Sequence, residues 1–265
     1  MKEQFEEQYS KYLEDILKNK NELEIKATQQ NDLQAQLKLA ALDMAFELTE
    51  SAMYWYTKAA EQGDAFAQAR LVYCYRVCAS KEDRIFGREK LEEHKEKEVF
   101  WCKKSAELGY AESQYFLAGY YMQGYGVEKD YTKAVEWYTK AAEQNYTNAM
   151  IDLFWIYSLG EIVQEDWEKA IEWLTKAAQL GDSEAQYKLG SLYAIGNHVE
   201  ESKEKAIEWL TKAADHGHDE ALLDLSYYYE NGVGVEKDLE KAQSLIEQAA
   251  LKGNEFARDQ LLFGD

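Results

Sequence analysis

Four tryptophans in this chain stand 36 residues apart: Trp101, Trp137, Trp173 and Trp209, with Leu245 in the next slot. Four and five residues after each comes a small pair: Ser105-Ala106, Ala141-Ala142, Ala177-Ala178, Ala213-Ala214 and Ala249-Ala250. Gly109, Asn145, Gly181, Gly217 and Gly253 close each segment, and tyrosines at 121, 157, 193 and 229 keep the same step. An earlier copy, Trp55, Ala59-Ala60, Gly63 and Tyr75, is displaced by 46 residues, and the ten extra residues fall in the charged stretch 80–97. That stretch reads as a loop insertion. A period in this range marks stacked supersecondary units rather than one globular core.

Each unit reads as two helices. In WEKAIEWLTKAAQLG, Ala170, Trp173, Leu174, Ala177 and Ala178 recur at helical spacing on one face, with Lys and Glu opposite. Gly181 suits the left-handed position past a helix end. In DSEAQYKLGSLYAIG, Asp182 or Ser183 is the expected N-cap, and Ala185, Leu189, Leu192 and Tyr193 again repeat at 3.6. The chain has no proline to break a helix and no alternating strand pattern. One pair cannot bury its apolar face alone, whereas stacked pairs share a continuous core. The expected fold is all-α, an α-solenoid of antiparallel helix pairs in a right-handed superhelix.

The strings YFLAGYYMQGYGVEKDYTKAVEWYTKAAEQNY and LDLSYYYENGVGVEKDLEKAQSLIEQAALKGN resemble the Sel1-like repeat (SLR) family, relatives of the tetratricopeptide repeats. Gly124, Gly126, Val127 and Asp130 match the family's loop, as do Gly232, Gly234, Val235 and Asp238. The likeness runs from about Ser51 to the end, about four-fifths of the chain. Departures are Phe154 for the helix glycine, Ser202 for the loop aspartate and Asn145 for a closing glycine. The resemblance implies an adaptor that assembles protein complexes. Secreted, cysteine-rich members linked to β-lactam binding carry regular cysteine pairs that this chain lacks, so that activity does not transfer.

The organisation that follows is an amphipathic N-terminal helix or cap over 1–30, a degenerate leading repeat at 31–63, repeats over 64–253 and a half-repeat cap at 254–265. In the N-terminal helix Phe5, Tyr9, Tyr12, Leu13, Ile16 and Leu17 form the apolar face, which either caps the first repeat or mediates self-association.

Chemistry is scarce. Cys74, Cys78 and Cys102 with His94 hold the residue types of a zinc site. Yet Cys74 stands in the slot of Tyr120, Ile156 and Leu192, and Cys102 in that of Tyr138, Leu174 and Leu210, so both read as small hydrophobes. His216 and His218, beside Asp215 and Asp219, read as an exposed turn. No HExxH, phosphate loop or nucleophile elbow is present. Paired carboxylates are too common among 50 acidic residues to single any out. The expectation is a non-enzyme with no cofactor and no metal.

The net charge of −20 disfavours nucleic acid and anionic membranes and favours a basic protein. An odd cysteine count, a charged N-terminus and no apolar run near ~18 residues point to the cytoplasm. Removing the positions common to every repeat leaves two columns on the first helices, expected to line a concave binding face. One is Tyr73, Gly119, Trp155, Ser191 and Tyr227; the other is Arg70, Phe116, Asp152, Lys188 and Asp224. From them Arg70, Tyr73, Phe116, Asp152, Trp155, Lys188, Asp224 and Tyr227 are the candidate contacts, since aromatic and Arg side chains anchor interfaces. Padding between neighbouring repeats is the alternative. Ile85, Phe86 and Leu91 of the insertion are further candidates. One concrete version of this function is an immunity protein neutralising a cationic bacterial toxin. The others are a regulatory adaptor of a signalling or envelope complex, a homodimer joined by the N-terminal helix, or an enzyme with an unrecognised site.

Overall fold

The computed structural model describes residues 19–82 and 88–263, and every regular element among them is an α-helix. The chain divides into two units, 1–141 and 142–265. The first holds α1 (19–29), α2 (Leu33–Ala45), α3 (Thr49–Glu61), α4 (Ala65–Glu82), α5 (Arg88–Glu107), α6 (Ala111–Gln123) and most of α7 (Tyr131–Glu143). The second holds α8 (Thr147–Leu159), α9 (Trp167–Gln179), α10 (Ser183–Ile195), α11 (Lys203–Asp215), α12 (Asp219–Asn231), α13 (Leu239–Leu251) and α14 (Glu255–Phe263). Within each unit helices pack on their neighbours in the chain, α4 on both α3 and α5 and α10 on both α9 and α11. This is the helix-pair stacking of an α-solenoid.

The repeat is built from local rules. In the four pairs from α6 to α13 the loop between the paired helices starts at a left-handed glycine (Gly124, Gly160, Gly196, Gly232). It ends where the next N-cap donates its amide to the first helix: Asp238 N to the Tyr229 carbonyl at 2.9 Å, Asp130 N to Tyr121 at 3.0 Å. The same residue then caps its own helix, Asp238 accepting from Lys241 N at 2.9 Å. Ser202 performs both tasks, donating to the Tyr193 carbonyl at 3.0 Å and accepting from Lys205 N at 3.2 Å. Asn145 adopts φ 65°, the left-handed conformation its glycine counterparts take, which Asn tolerates. The two departures leave the geometry intact.

The core of each unit is alanine and leucine. Ala170, Leu174, Ala177, Ala185 and Leu189 are fully buried. Gly190 lets α10 approach α11, for a Cβ there would meet Leu210 Cγ at 2.9 Å. Phe154 fills the same slot on α8 and packs edge-on to Trp155 and Trp167. The tryptophans that set the period are half-buried rather than fully enclosed. A lysine three residues on covers three of the four rings: Lys140 over Trp137 at 3.9 Å, Lys176 over Trp173 at 4.3 Å, Lys212 over Trp209 at 4.1 Å, whereas Lys104, after Trp101, lies 6.0 Å from the Phe100 ring centre. A buried glutamine joins successive pairs: Gln68, Gln114 and Gln186 donate to the carbonyls of Ala60, Ala106 and Ala178 at 3.2, 3.2 and 2.9 Å.

One expectation needs adjustment. Where it is described, the 80–97 insertion is helix rather than loop: α4 and α5 run to 18 and 20 residues where regular helices have 13. Its Lys, Glu and Leu residues are strong helix formers, and Glu93–Lys97 is an (i, i+4) ion pair at 2.6 Å. Ile85 and Phe86, and the Leu91 side chain, lie outside the described residues. So do Phe5, Tyr9, Tyr12, Leu13, Ile16 and Leu17. The described end of that N-terminal segment, α1, lies on the first repeat: Ala27 is buried, Leu23 packs beside it, and Lys20 Nζ is 2.8 Å from Asp43. No described helix is long and apolar enough to cross a membrane.

Candidate functional site

The first helix of each pair turns its Ala/Leu stripe into the core, and the two candidate columns flank that stripe. Tyr73 on α4, Trp155 on α8 and Tyr227 on α12 are 45%, 41% and 56% exposed at one repeat register. In the first unit the Arg70 guanidinium lies 5.0 Å from the Tyr73 ring centre. In the second, Lys188 reaches over Trp155 at 4.8 Å while Glu184 holds its ammonium at 2.7 Å. Asp152 stands one turn from Trp155 on α8. Asp224 is half-buried, and that burial raises its carboxyl above the ordinary aspartate value against the hydrogen bond from Tyr187. The structure thus brings together Trp155 with Lys188, and Arg70 with Tyr73.

Phe116 has a partner the sequence did not announce. The Arg76 guanidinium sits 4.0 Å above its ring, and Arg76 Nε is 3.8 Å from Glu98. Glu98, only 2% exposed, occupies the slot filled in other copies by Ala52, Ala134, Ala170, Ala206 and Ala242. The hydroxyls of Tyr120 and Tyr125 donate to its two oxygens, the second at 2.9 Å. Burial, with Glu98 alongside, pushes both hydroxyls far above the usual tyrosine range. The carboxylate opens onto a cavity of about 380 Å³ walled by Tyr115, Phe116, Gly119, Gln123 and Tyr138. The signal that could have found it is an acidic residue in an otherwise all-alanine column.

The thiols have separate neighbours. Cys74 Sγ is 3.8 Å from Met44 Sδ, Cys78 Sγ is 3.7 Å from Met53 Sδ, and Cys102 donates to the Ser113 carbonyl at 3.3 Å. Burial pushes the Cys74 thiol up to about 11, and the Cys102 thiol higher still. Neither is an available thiolate at neutral pH. His94 lies against the Tyr75 ring at 5.6 Å. In the His-x-His turn, His216 Nδ1 is 2.9 Å from Gln186 Oε1, and His218 stacks on Tyr187 with Nε2 3.1 Å from Glu184. His218, Asp219 and Glu220 cluster at the start of α12, where only Glu220 is exposed and the His218 side chain, 10% exposed under its stack on Tyr187, is less open than the turn expected from the sequence.

Helix pairs repeated in phase, with variable residues along their first helices, define a helical-repeat protein of the α-solenoid class. The Sel1 repeat profile matches residues 34–64, 111–146, 147–182, 183–218 and 219–254, and the chain belongs to that family. It is similar to the crystal structure of c5321, a protective antigen of uropathogenic Escherichia coli with an SLR fold. That match has 29% identity and a TM-score of 0.79, and covers 92% of this chain and 52% of that one. This chain therefore spans about half of the Escherichia coli protein. A Sel1 repeat protein from Oxalobacter formigenes matches with 27% identity and a TM-score of 0.69, over 85% of this chain and 88% of that one. No curated protein matches.

Proposed function

We propose that the chain is a non-catalytic scaffold that holds a basic protein on the first-helix face of its units, taken one unit at a time. The observation that carries this reading is the exposure of Tyr73, Trp155 and Tyr227 at a single repeat register. Large aromatics are the usual anchors of protein interfaces, and at Trp155 and Tyr73 the ring already accepts a cation from the chain itself. The net charge of −20 selects the partner's sign. Asp224 supports the same choice: a half-buried carboxylate beside Tyr227 gains when a cation arrives.

The test is affinity capture from lysate of the source cells, eluted with a salt gradient and compared between the wild type and the Trp155→Ala/Tyr227→Ala double variant. The expected result is a basic protein released by salt, retained at least ~10-fold less well by the double variant. A partner held equally by both, or one of acidic charge, overturns the reading. A cationic toxin held by an immunity protein is one partner of this chemistry, recognised by stoichiometric inhibition of the captured toxin.

A further inference from the structure

We propose that the Glu98 cavity is a seat for a guanidinium group, and that Arg76 is its resident, displaceable occupant. The proposal rests on the reading of the chain as a scaffold for basic partners and names the chemistry of one contact.

Two residues of this cavity work against stability. Glu98 buries a carboxylate where every other copy has alanine, and burying a charge is unfavourable unless it is fully paired. Gly119 places a glycine inside a helix, at the register where Tyr73, Trp155, Ser191 and Tyr227 stand. Neither packing nor backbone demands that glycine. A Cβ at 119 would rest 3.7 Å from the Tyr138 hydroxyl, an ordinary contact, and the backbone there is helical. What Gly119 provides is space in front of Glu98.

The lining fits a planar cation. A guanidinium asks for a carboxylate to accept its N–H groups and an aromatic face to stack on. Glu98 is held in place by the two tyrosine hydroxyls, and Phe116 offers the face. Arg76 demonstrates the fit but does not complete it. Its Nε stops at 3.8 Å from the carboxylate, beyond hydrogen-bond distance, and its side chain remains 44% exposed. A second guanidinium that closes those hydrogen bonds takes the place of Arg76, which moves into solvent. The exchange keeps the buried charge paired throughout.

The experiment is an NMR titration of the full chain carrying ring-labelled tyrosine, with acetyl-Gly-Arg-Gly-amide, its lysine counterpart and free L-arginine as probes. The arginine peptide is expected to shift the Tyr120 and Tyr125 rings, and the lysine peptide to bind at least ~10-fold more weakly. If the capped peptide binds more tightly than L-arginine, the ligand is a chain arginine; the reverse order assigns the seat to a small molecule. Arg76→Ala removes the competitor and tightens binding about 10-fold. Glu98→Ala, which copies the other repeats, and Gly119→Trp, which copies Trp155, abolish it. Should Arg76→Ala fail to fold, Glu98→Gln removes the charge while its amide oxygen still accepts from one tyrosine hydroxyl, the other hydroxyl turning to accept from the amide N–H, and it is likewise expected not to bind. Equal binding by wild type and Glu98→Gln, or no discrimination between arginine and lysine, overturns the proposal. No partner protein enters this titration, so its failure leaves the Trp155/Tyr227 capture result standing, and the converse holds.

Discussion

The α4–α5 pair and the α10–α11 pair occupy the same place in the repeat and solve it with opposite interiors. In the regular pair a glycine faces a leucine: Gly190 has no room for a Cβ against Leu210. In the long pair the bulk has changed sides, with Val72 in the glycine slot and Cys102 in the leucine slot, both buried in one cluster with Ala106 and Leu117. The next contact diverges further, Ala206 becoming Glu98. The repeat profile matches 183–218 but not 65–110. Between these two pairs the small and the large side chain have exchanged helices, while Phe154 opposite Leu174 in the α8–α9 pair shows that the slot also takes two large residues. The two positions of a slot change together with their local packing, and in the long pair a polar group has entered beside them.

The largest effect should separate the two leucine slots. Leu210→Ala is expected to lose about 2–5 kcal/mol, while Cys102→Ala loses about 1, both read by urea denaturation. Equal losses would break the comparison. Next, Cys102→Leu should overpack against Val72 and lose about 1–3 kcal/mol, and adding Val72→Gly should recover at least half of that. A strictly additive double variant would mean the two positions do not share one volume. Ser202→Ala removes the cap of α11 and is expected to lose about 1 kcal/mol, a value that Ser202→Asp should keep or exceed in the stabilising direction.

The smallest effect concerns pH. Burial raises the folded carboxyl of Asp224, so its protonated form is the one the fold favours. The associated stability is complete below the ordinary aspartate value and is lost as pH rises through the raised one. Asp224→Asn should therefore raise Tm slightly at pH 7, with the gain vanishing below pH ~4. A gain that persists at acid pH would trace to packing instead.

The fold was legible because it is written six times over. Trp137, Trp173 and Trp209 fix the period, and the capping residues could be judged by chemistry alone: Ser202 and Asn145 look like errors in the pattern yet do what Asp and Gly do. The insertion was legible in length but not in conformation. A break in period says where residues were added, and only its Lys/Glu content carried the helical signal. Glu98 was missed for a different reason. Among 50 acidic residues one carboxylate stands out only when its slot is compared with the alanines of the other copies. The pairing of Arg76 with Phe116 joins side chains on α4 and α6 that no periodicity relates.

The buried glutamines have a consequence for how such a chain grows. Gln68, Gln114 and Gln186 each bond a main-chain carbonyl in the helix before, and near the end Arg258 Nε lies 3.4 Å from the corresponding carbonyl of Ala250. The acceptor is backbone, so every copy offers it whatever its side chains. A duplicated or transplanted copy finds its fastening already present in its new neighbour, with no second mutation required. Units joined in this way can be gained, lost or reordered while their outward residues drift separately, and the joint itself keeps no record of which copy came first.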